Sequence, residues 1–109
     1  MRIYKHQWHD HDSIYIRNAD GGITVSIYQD NRVAEIYDLL VYPESRGRRI
    51  GALLLQLAIQ AARTEGCDTI LLWPDCEPWV LEWYEREGFH EDPSFKNKDG
   101  EPAWAKQLR

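Results

Sequence analysis

One segment constrains the fold of this chain more than any other. An apolar strand ends at Val41, a basic loop follows, and a helix begins near Ile50. The first amides of a helix have no helical partner and lie at the positive end of the helix dipole, so they bind anions. Arg46, Arg48 and Arg49 in the loop add charge-assisted donors that suit phosphate oxygens. The sequence therefore predicts a phosphate site here, although neither G-x-x-x-x-G-K-[ST] nor G-x-G-x-x-G is present.

The composition is that of a small folded domain with an acidic surface. The 109 residues allow one domain, residues 1–109, and 43% of them are hydrophobic, which is enough to build a core. The net charge of −5 argues against a nucleic-acid partner and favours a cationic acceptor. Met1 to Asp12 is polar, and no apolar run approaches the roughly 20 residues of a membrane span. We therefore expect a cytoplasmic protein that does not contact a membrane.

The first third of the chain has the pattern of short strands. Segments rich in β-branched and aromatic residues alternate with turn signals, and their hairpin-like spacing predicts an antiparallel meander. The predicted strands are Arg2–Trp8, Ser13–Asn18, Ile23–Gln29 and Arg32–Val41.

The remainder of the chain alternates between helices and strands. Helical periodicity predicts helices over Arg49–Glu65 and Glu77–Glu87, with Gly66 as the stop of the first. Further strands are predicted at Thr69–Trp73, from Phe89, and at Pro102–Leu108, with a polar loop over Asp92–Gly100. The order β-β-β-β-α-β-α-β-β indicates an α/β (α+β) fold, with a mixed, mostly antiparallel twisted sheet of six or seven strands and two main helices.

The basic loop resembles motif A of the GNAT N-acetyltransferase superfamily. Val41, Pro43, Arg46 and Gly51 fall on the pattern V-x-P-x-x-[RQ]-x-x-G-x-[GA], and Arg49 replaces the middle glycine. If the backbone at this position needs a positive φ, Arg49 is strained. If the position needs only a free N–H, Arg49 can serve there and add a positive side chain.

A second segment is similar to another sequence of the same superfamily. Tyr84–Phe89 resembles Y-E-x-x-G-F, in which a helix ends at the glycine and a strand starts at the phenylalanine. The two motifs together cover residues 33 to 89. The resemblance implies a GNAT-like fold and the transfer of an acetyl group from acetyl-CoA to a primary amine, with a lysine of a protein as one possible acceptor.

The resemblance also implies a compact member of the superfamily. Its members usually insert two helices between the first and second strands, and this chain has no room for them there. Because those helices wall the acceptor site, we expect that site to be more open here, or to be completed by a second subunit in a homodimer.

The resemblance further implies which residues contact acetyl-CoA. Backbone groups at the end of the fourth strand hold the carbonyl and the pantetheine, and amides of the loop take the pyrophosphate. Glu77 stands where an asparagine often contacts CoA, so that contact is lost or Glu77 serves the acceptor amine. The implied cofactor-binding residues are Leu39, Leu40, Val41, Arg46, Gly47, Arg48, Arg49, Ile50, Gly51, Ala52 and Glu77.

Glu35 is the candidate general base. Its neighbours Ala34 and Ile36 on the strand before motif A predict partial desolvation, which raises the pKa of a carboxyl. Its offset from Arg46 matches that of the catalytic glutamate in the histone-acetylating branch of the superfamily. The alternative is a glutamate on the solvent-facing side of the strand. Asp38 is the second candidate, although strand alternation places it on the opposite face unless a bulge intervenes.

Tyr84 is the candidate general acid, because the tyrosine of Y-E-x-x-G-F protonates the departing CoA sulfur in many family members. The alternative is a core tyrosine on the inner face of an amphipathic helix. For the group His6, His9 and His11 a solvated turn is favoured over a metal site. Two other functions stay open: a non-catalytic module that binds acyl-CoA or a protein, and a structural dimer that does not bind CoA.

Overall fold

The computed structural model describes residues 1–109 and contains one seven-stranded sheet with two α-helices. The strands lie in the order β1-β2-β3-β4-β5-β7-β6. A short 3₁₀ turn, Pro43–Ser45, separates β4 from the first helix. The elements in chain order are β1 (Arg2–Gln7), β2 (Asp12–Asn18), β3 (Gly21–Tyr28), β4 (Val33–Val41), α1 (Ile50–Thr64), β5 (Thr69–Leu72), α2 (Pro78–Arg86), β6 (His90–Lys96) and β7 (Pro102–Gln107).

The predicted meander and the mostly antiparallel sheet are confirmed. The strands β1 to β4 pair antiparallel with their sequence neighbours. The exception is the pair β4–β5, which is parallel and is joined by the crossover through α1. The pairs β5–β7 and β6–β7 are again antiparallel.

The main core lies on one face of the sheet, beneath α1. Ile23, Val25 and Ile27 alternate along β3 and are fully buried, and Leu54 and Leu55 of α1 are buried in the same cluster. Each such aliphatic side chain contributes about 1.5–3 kcal/mol on burial. The alternation of β3 and the helical period of α1 therefore fix which face of the sheet the helix covers.

The second helix extends this core on the same face. Tyr84 of α2 and Phe89, which follows the helix, belong to the cluster that contains the buried residues of α1. Their rings pack edge to face with centroids 5.6 Å apart. Both helices consequently lie on one side of the sheet.

The opposite face carries no helix. It has only a small cluster partly covered by Trp73 and Phe95, made of Val33, Leu71, Ala103 and Ala105. Residues 8–11 are all that separates β1 from β2, so no helix lies between these strands. The compact arrangement expected from the sequence is confirmed, and polar side chains of β2, β3 and β4 on this face are left uncovered by any helix.

One predicted boundary is wrong. Asp92–Gly100 was expected to be a polar loop, but β6 extends to Lys96. The pairing of β6 with β7 shifts register between Asp92 and Lys96, and Pro93 lies within that irregularity. Because β6 is an edge strand, the missing N–H of proline costs no ladder hydrogen bond there. Neither α1 nor α2 has the length and apolar character that crossing a bilayer requires.

Candidate active site

The sheet opens between β4 and β5. These strands pair at only three positions, and the last pair joins Glu35 to Leu71. Beyond that pair β4 continues to Val41, whereas β5 ends at Leu72. A gap between the two strands therefore begins immediately after Glu35.

Backbone groups of β4 line this gap. The Tyr42 N–H donates to the Asp20 carbonyl over 2.8 Å. In an antiparallel ladder every second residue of a strand is hydrogen-bonded to the neighbouring strand, and the residues between them direct their backbone groups the other way. Leu40, two residues back, is then bonded to Gly22 of β3. The amide and carbonyl groups of Leu39 and Val41 point away from β3, into the gap. Among the three residues implied for the carbonyl and pantetheine, Leu39 thus offers both backbone groups, and Val41 offers its N–H, because its carbonyl accepts a hydrogen bond from Arg46. Leu40 offers only its exposed side chain.

The loop after β4 ends in a helix N-terminus without a side-chain cap. Gly47 has φ 84° and Arg49, the N-cap of α1, has φ 62° and ψ 23°. No side chain of the N-cap bonds to the first amides of α1, so the N–H groups of residues 50–52, which precede the first helical bond from Leu53 to Arg49, have no side-chain cap. The Arg49 position needs a positive φ, and a residue with a Cβ is strained there.

The three arginines of the loop have different surroundings. Arg46 is exposed, and its Nε donates to the Val41 carbonyl over 3.2 Å. Arg48 is paired with Asp20, with 2.6 Å between its NH2 nitrogen and the carboxylate Oδ1. Arg49 is exposed and forms no capping hydrogen bond. Of the three guanidinium groups, that of Arg48 is the one already held by an anion.

The first turn of α1 lies against the Trp83 side chain of α2, beside the end of β4. A Cβ added at Gly51 would lie 3.7 Å from Trp83 of α2, which is an ordinary contact. Glu77 is the N-cap of α2, and its Oε2 accepts a hydrogen bond of 2.6 Å from Nε1 of Trp79. The Glu77 carboxylate is therefore engaged by its own helix, in the place where the superfamily often has an amide donor.

Tyr84 lies in the core, and its hydroxyl has no partner within the chain. Its ring is a core ring, 6% exposed, packed edge to face against Trp83 with 4.8 Å between centroids. Its hydroxyl makes no hydrogen bond within the chain and is not among the fully buried polar atoms. Burial, together with the negative charge of Asp75, raises the pKa of Tyr84 to about 12. The phenol is protonated at neutral pH, as a proton donor must be.

Glu35 lies at the apex of the gap. It pairs with Ser26 of β3, on the face of the sheet that has no helix, and its side chain is half-buried. Burial raises the pKa of this carboxyl, and the neighbouring Tyr37 and His11 partly offset the rise. Tyr84 lies on the helical face, so the two candidate residues are on opposite faces of the sheet.

A β-bulge changes the expected position of Asp38. Thr24 pairs with Asp38 and Val25 pairs with Ile36, so Tyr37 is the extra residue on β4. The bulge restores Asp38 to the face that carries Glu35, whereas simple alternation predicts the opposite face. Two carboxylates therefore flank the gap on the open face.

The structure also brings aromatic residues to this face. The hydroxyls of Tyr28 and Tyr37 lie 2.9 Å apart, and His11 stacks on Tyr28 with 5.2 Å between ring centroids. Sequence reasoning did not find the tyrosine pair, because the pairing depends on the bulge. The histidine-rich turn contributes His11 to this group through stacking, and no three His, Cys, Asp or Glu side chains in the chain are arranged to hold a metal ion.

Known proteins share this sequence pattern and this fold. Residues 1–89 match the profile of the acetyltransferase (GNAT) family. An uncharacterized N-acetyltransferase of Methanocaldococcus jannaschii is 38% identical over 68 residues, which make up 62% of this chain and 30% of that protein. The chain spans about 30% of the length of the curated relatives that it matches.

Solved structures agree on the fold. Tetrahymena GCN5 superposes with a TM-score of 0.73 at 21% identity, covering 94% of this chain and 71% of that one. The PaiA N-acetyltransferase of Thermoplasma acidophilum, solved in complex with coenzyme A, superposes with a TM-score of 0.65 at 21% identity, covering 81% and 53% of the two chains. The family profile extends over most of the sequence, and the resemblance noted in its two motifs is confirmed: the chain belongs to the GNAT acetyltransferase family.

Proposed function

We propose that this protein transfers an acetyl group from acetyl-CoA to a primary amine. The observation that carries the proposal is that β4 continues beyond its last pairing with β5, at Glu35, and leads through the basic loop to the uncapped amides of α1. This path along β4 offers backbone groups that point away from β3 and ends at a site suited to phosphate. A family relative of the same fold was solved with coenzyme A, which supports this ligand.

Acetyl-CoA would lie along this path. The amides of residues 47–52 would bind the pyrophosphate, supported by the exposed guanidinium groups of Arg46 and Arg49. The backbone groups of Leu39 and Val41 would hold the pantetheine by extending the sheet. The thioester would then lie in the gap near Glu35.

The two titratable candidates would move the protons of the reaction. Glu35 would accept a proton from the ammonium of the acceptor, through a water molecule, so that the nitrogen lone pair becomes available. The amine would attack the thioester carbonyl carbon, the C–N bond would form, and the C–S bond would break. After the C–N bond forms, the nitrogen would lose its second proton to solvent, and Glu35 would release the first proton to solvent as well. Tyr84 would give its proton to the departing thiolate, and solvent would reprotonate the phenolate. No covalent enzyme intermediate is needed, so both substrates are bound together.

The acceptor would approach from the face without helices. That face carries the carboxylates of Glu35 and Asp38 beside the gap, and these favour a cationic amine. Its openness suits an amine that protrudes from a large molecule, so a lysine of a protein is the acceptor that we favour. A homodimer would supply a wall for the acceptor if a second copy covers this face.

Turnover assays test the proposal. Release of free CoA from acetyl-CoA is followed with a panel of acceptors that includes lysine peptides and polyamines. Glu35→Gln and Tyr84→Phe are compared with the wild type, and Glu91→Gln, an exposed carboxylate on the edge strand β6, is the control. We expect turnover that falls in the first two variants and is unchanged in the control. Binding of acetyl-CoA without turnover on any amine would contradict catalysis and select a non-catalytic acyl-CoA-binding module.

A further inference from the structure

Three side chains form a closed hydrogen-bonded triangle beneath the phosphate loop. The Ser45 hydroxyl donates to Oδ1 of Asp20 over 2.6 Å, and the NH2 group of Arg48 donates to the same oxygen over 2.6 Å. Arg48 also donates to the Ser45 hydroxyl over 3.0 Å. The triangle joins the turn between β2 and β3 to both ends of the loop segment 45–48.

The Asp20 corner of the triangle is firmly held. Its N–H donates to Oδ1 of Asn18 over 2.8 Å, and its carbonyl accepts from the Tyr42 N–H over 2.8 Å. Ser45 is only 2% exposed, so its hydrogen bond to the carboxylate is shielded from water, whereas the Arg48 guanidinium, which completes the triangle, is on the surface. Shielded, charge-assisted bonds of this kind are stronger than those on an open surface. The triangle therefore restrains the loop through its side chains, in addition to the backbone.

We propose that Asp20 is a positioning residue for CoA binding, which rests on the function proposed above. By holding Ser45 and Arg48, Asp20 fixes the loop so that its amides converge on the pyrophosphate. The Arg48 guanidinium belongs to this restraint and is not a phosphate ligand, and only its backbone amide contributes to the anion site. Sequence reasoning grouped Arg48 with Arg46 and Arg49, because the partner of Arg48 lies 28 positions away in the sequence.

This assignment and its alternative predict opposite changes in CoA affinity when the Asp20 carboxylate is removed. If Arg48 binds phosphate directly, the Asp20 carboxylate competes with the ligand, and its removal frees the guanidinium and tightens CoA binding. If Asp20 positions the loop, its removal leaves the loop less ordered and weakens CoA binding. Asp20→Asn keeps the size of the side chain and removes the charge, so it distinguishes the two cases.

The experiment is calorimetric titration of the whole chain with CoA. Asp20→Asn and Ser45→Ala are compared with the wild type. Asp68→Asn is the matched control, because Asp68 also pairs with an arginine, Arg109, at 2.6 Å. Asp68 lies beyond the other end of α1, a 15-residue helix that is about 22 Å long.

We expect the Kd for CoA to rise about tenfold in Asp20→Asn, or ~1.4 kcal/mol. Ser45→Ala should change it in the same direction, and Asp68→Asn should not change it. Where acetyl transfer is measurable, KM for acetyl-CoA should rise while kcat at saturation stays near the wild-type value, a split that general loss of folded protein does not produce. Unchanged or tighter CoA binding in Asp20→Asn would overturn the assignment. If Asp20→Asn does not fold, the Kd of Ser45→Ala is the deciding measurement, and an unchanged or lower Kd overturns the assignment. A wild type that fails to bind CoA would instead refute the proposed function.

Discussion

The left-handed conformation of Arg49 makes a prediction about stability. Its φ of 62° and ψ of 23° place a residue with a Cβ in a region that costs roughly 1–2 kcal/mol for an L-amino acid. Glycine has no such cost, but it loses about 0.5–1 kcal/mol more conformational entropy on folding. The difference predicts that Arg49→Gly stabilises the protein by ~1 kcal/mol relative to Arg49→Ala.

Arg49→Ala is the proper reference, because it removes the guanidinium and keeps the Cβ. The comparison then isolates backbone strain from charge. For a domain of this size, ~1 kcal/mol raises Tm by roughly 4 °C. The assay is thermal and urea unfolding of the wild type and both variants at one pH and ionic strength.

Arg32 provides an internal control, because it is the other non-glycine residue with a positive φ, at 58°. Its Nε donates to the Gly66 carbonyl over 3.0 Å, and its NH2 nitrogen lies 3.4 Å from Asp68. Arg32→Gly loses these contacts, so its increase in the free energy of unfolding over the wild type should be smaller than that of Arg49→Gly. If Arg49→Gly is no more stable than Arg49→Ala, the strain argument is refuted.

Three further predictions follow from burial and backbone packing. Tyr84→Phe keeps the buried ring and removes only the hydroxyl, so Tm should stay within about 2 °C of wild type while kcat falls roughly 10- to 100-fold; an unchanged kcat would exclude Tyr84 as the acid. Burial raises the pKa of Glu35 above its ordinary value of about 4.3. Activity should therefore fall as the pH drops through this raised pKa, because the base becomes protonated. The contribution of Glu35 to wild-type stability should decrease as the pH rises through the same pKa, because the folded state holds this proton more tightly than the unfolded state. Glu35→Gln should abolish both dependences in pH-rate and pH-stability profiles, and their persistence would assign them to another group. Gly21→Ala would put a Cβ 2.0 Å from the Leu40 carbonyl oxygen and should destabilise by ~1–3 kcal/mol or more in urea unfolding. The three atoms nearest to a Cβ at Gly22 belong to the Arg17 side chain, which can move at the loss of its hydrogen bonds to Ile23 and Thr24, so Gly22→Ala should cost less than Gly21→Ala; equal losses would contradict the backbone-contact argument.

Local signals predicted most of the fold. Alternation in the first third of the chain specified the meander, and the period of the segment after Arg49 specified α1, because each pattern reports directly which face of an element is buried. Gly88 has a φ of 93°, in agreement with a helix ending there. The end of β6 was missed, because proline and polar residues on an edge strand have the composition of a loop.

The site was predictable only in part. Sequence patterns proposed Glu35, Tyr84 and the loop, whose roles stay predictions, but they could not reveal the bulge at Tyr37, which decides the face on which Asp38 lies. They also could not reveal the pairing of Arg48 with Asp20, since a long-range partner leaves no periodic trace in the sequence. Features that depend on register between distant strands require the three-dimensional structure.

We propose that the loop between β4 and α1 binds the phosphates of acetyl-CoA. Calorimetric titration of the purified protein with acetyl-CoA, repeated on Arg46→Ala, tests this binding. Arg63→Ala is the control, because Arg63 is exposed in the last turn of α1. We predict a Kd in the micromolar range, about −8 kcal/mol, that weakens in Arg46→Ala and not in Arg63→Ala. An absence of binding to the wild type, or equal binding by all three proteins, would contradict the account.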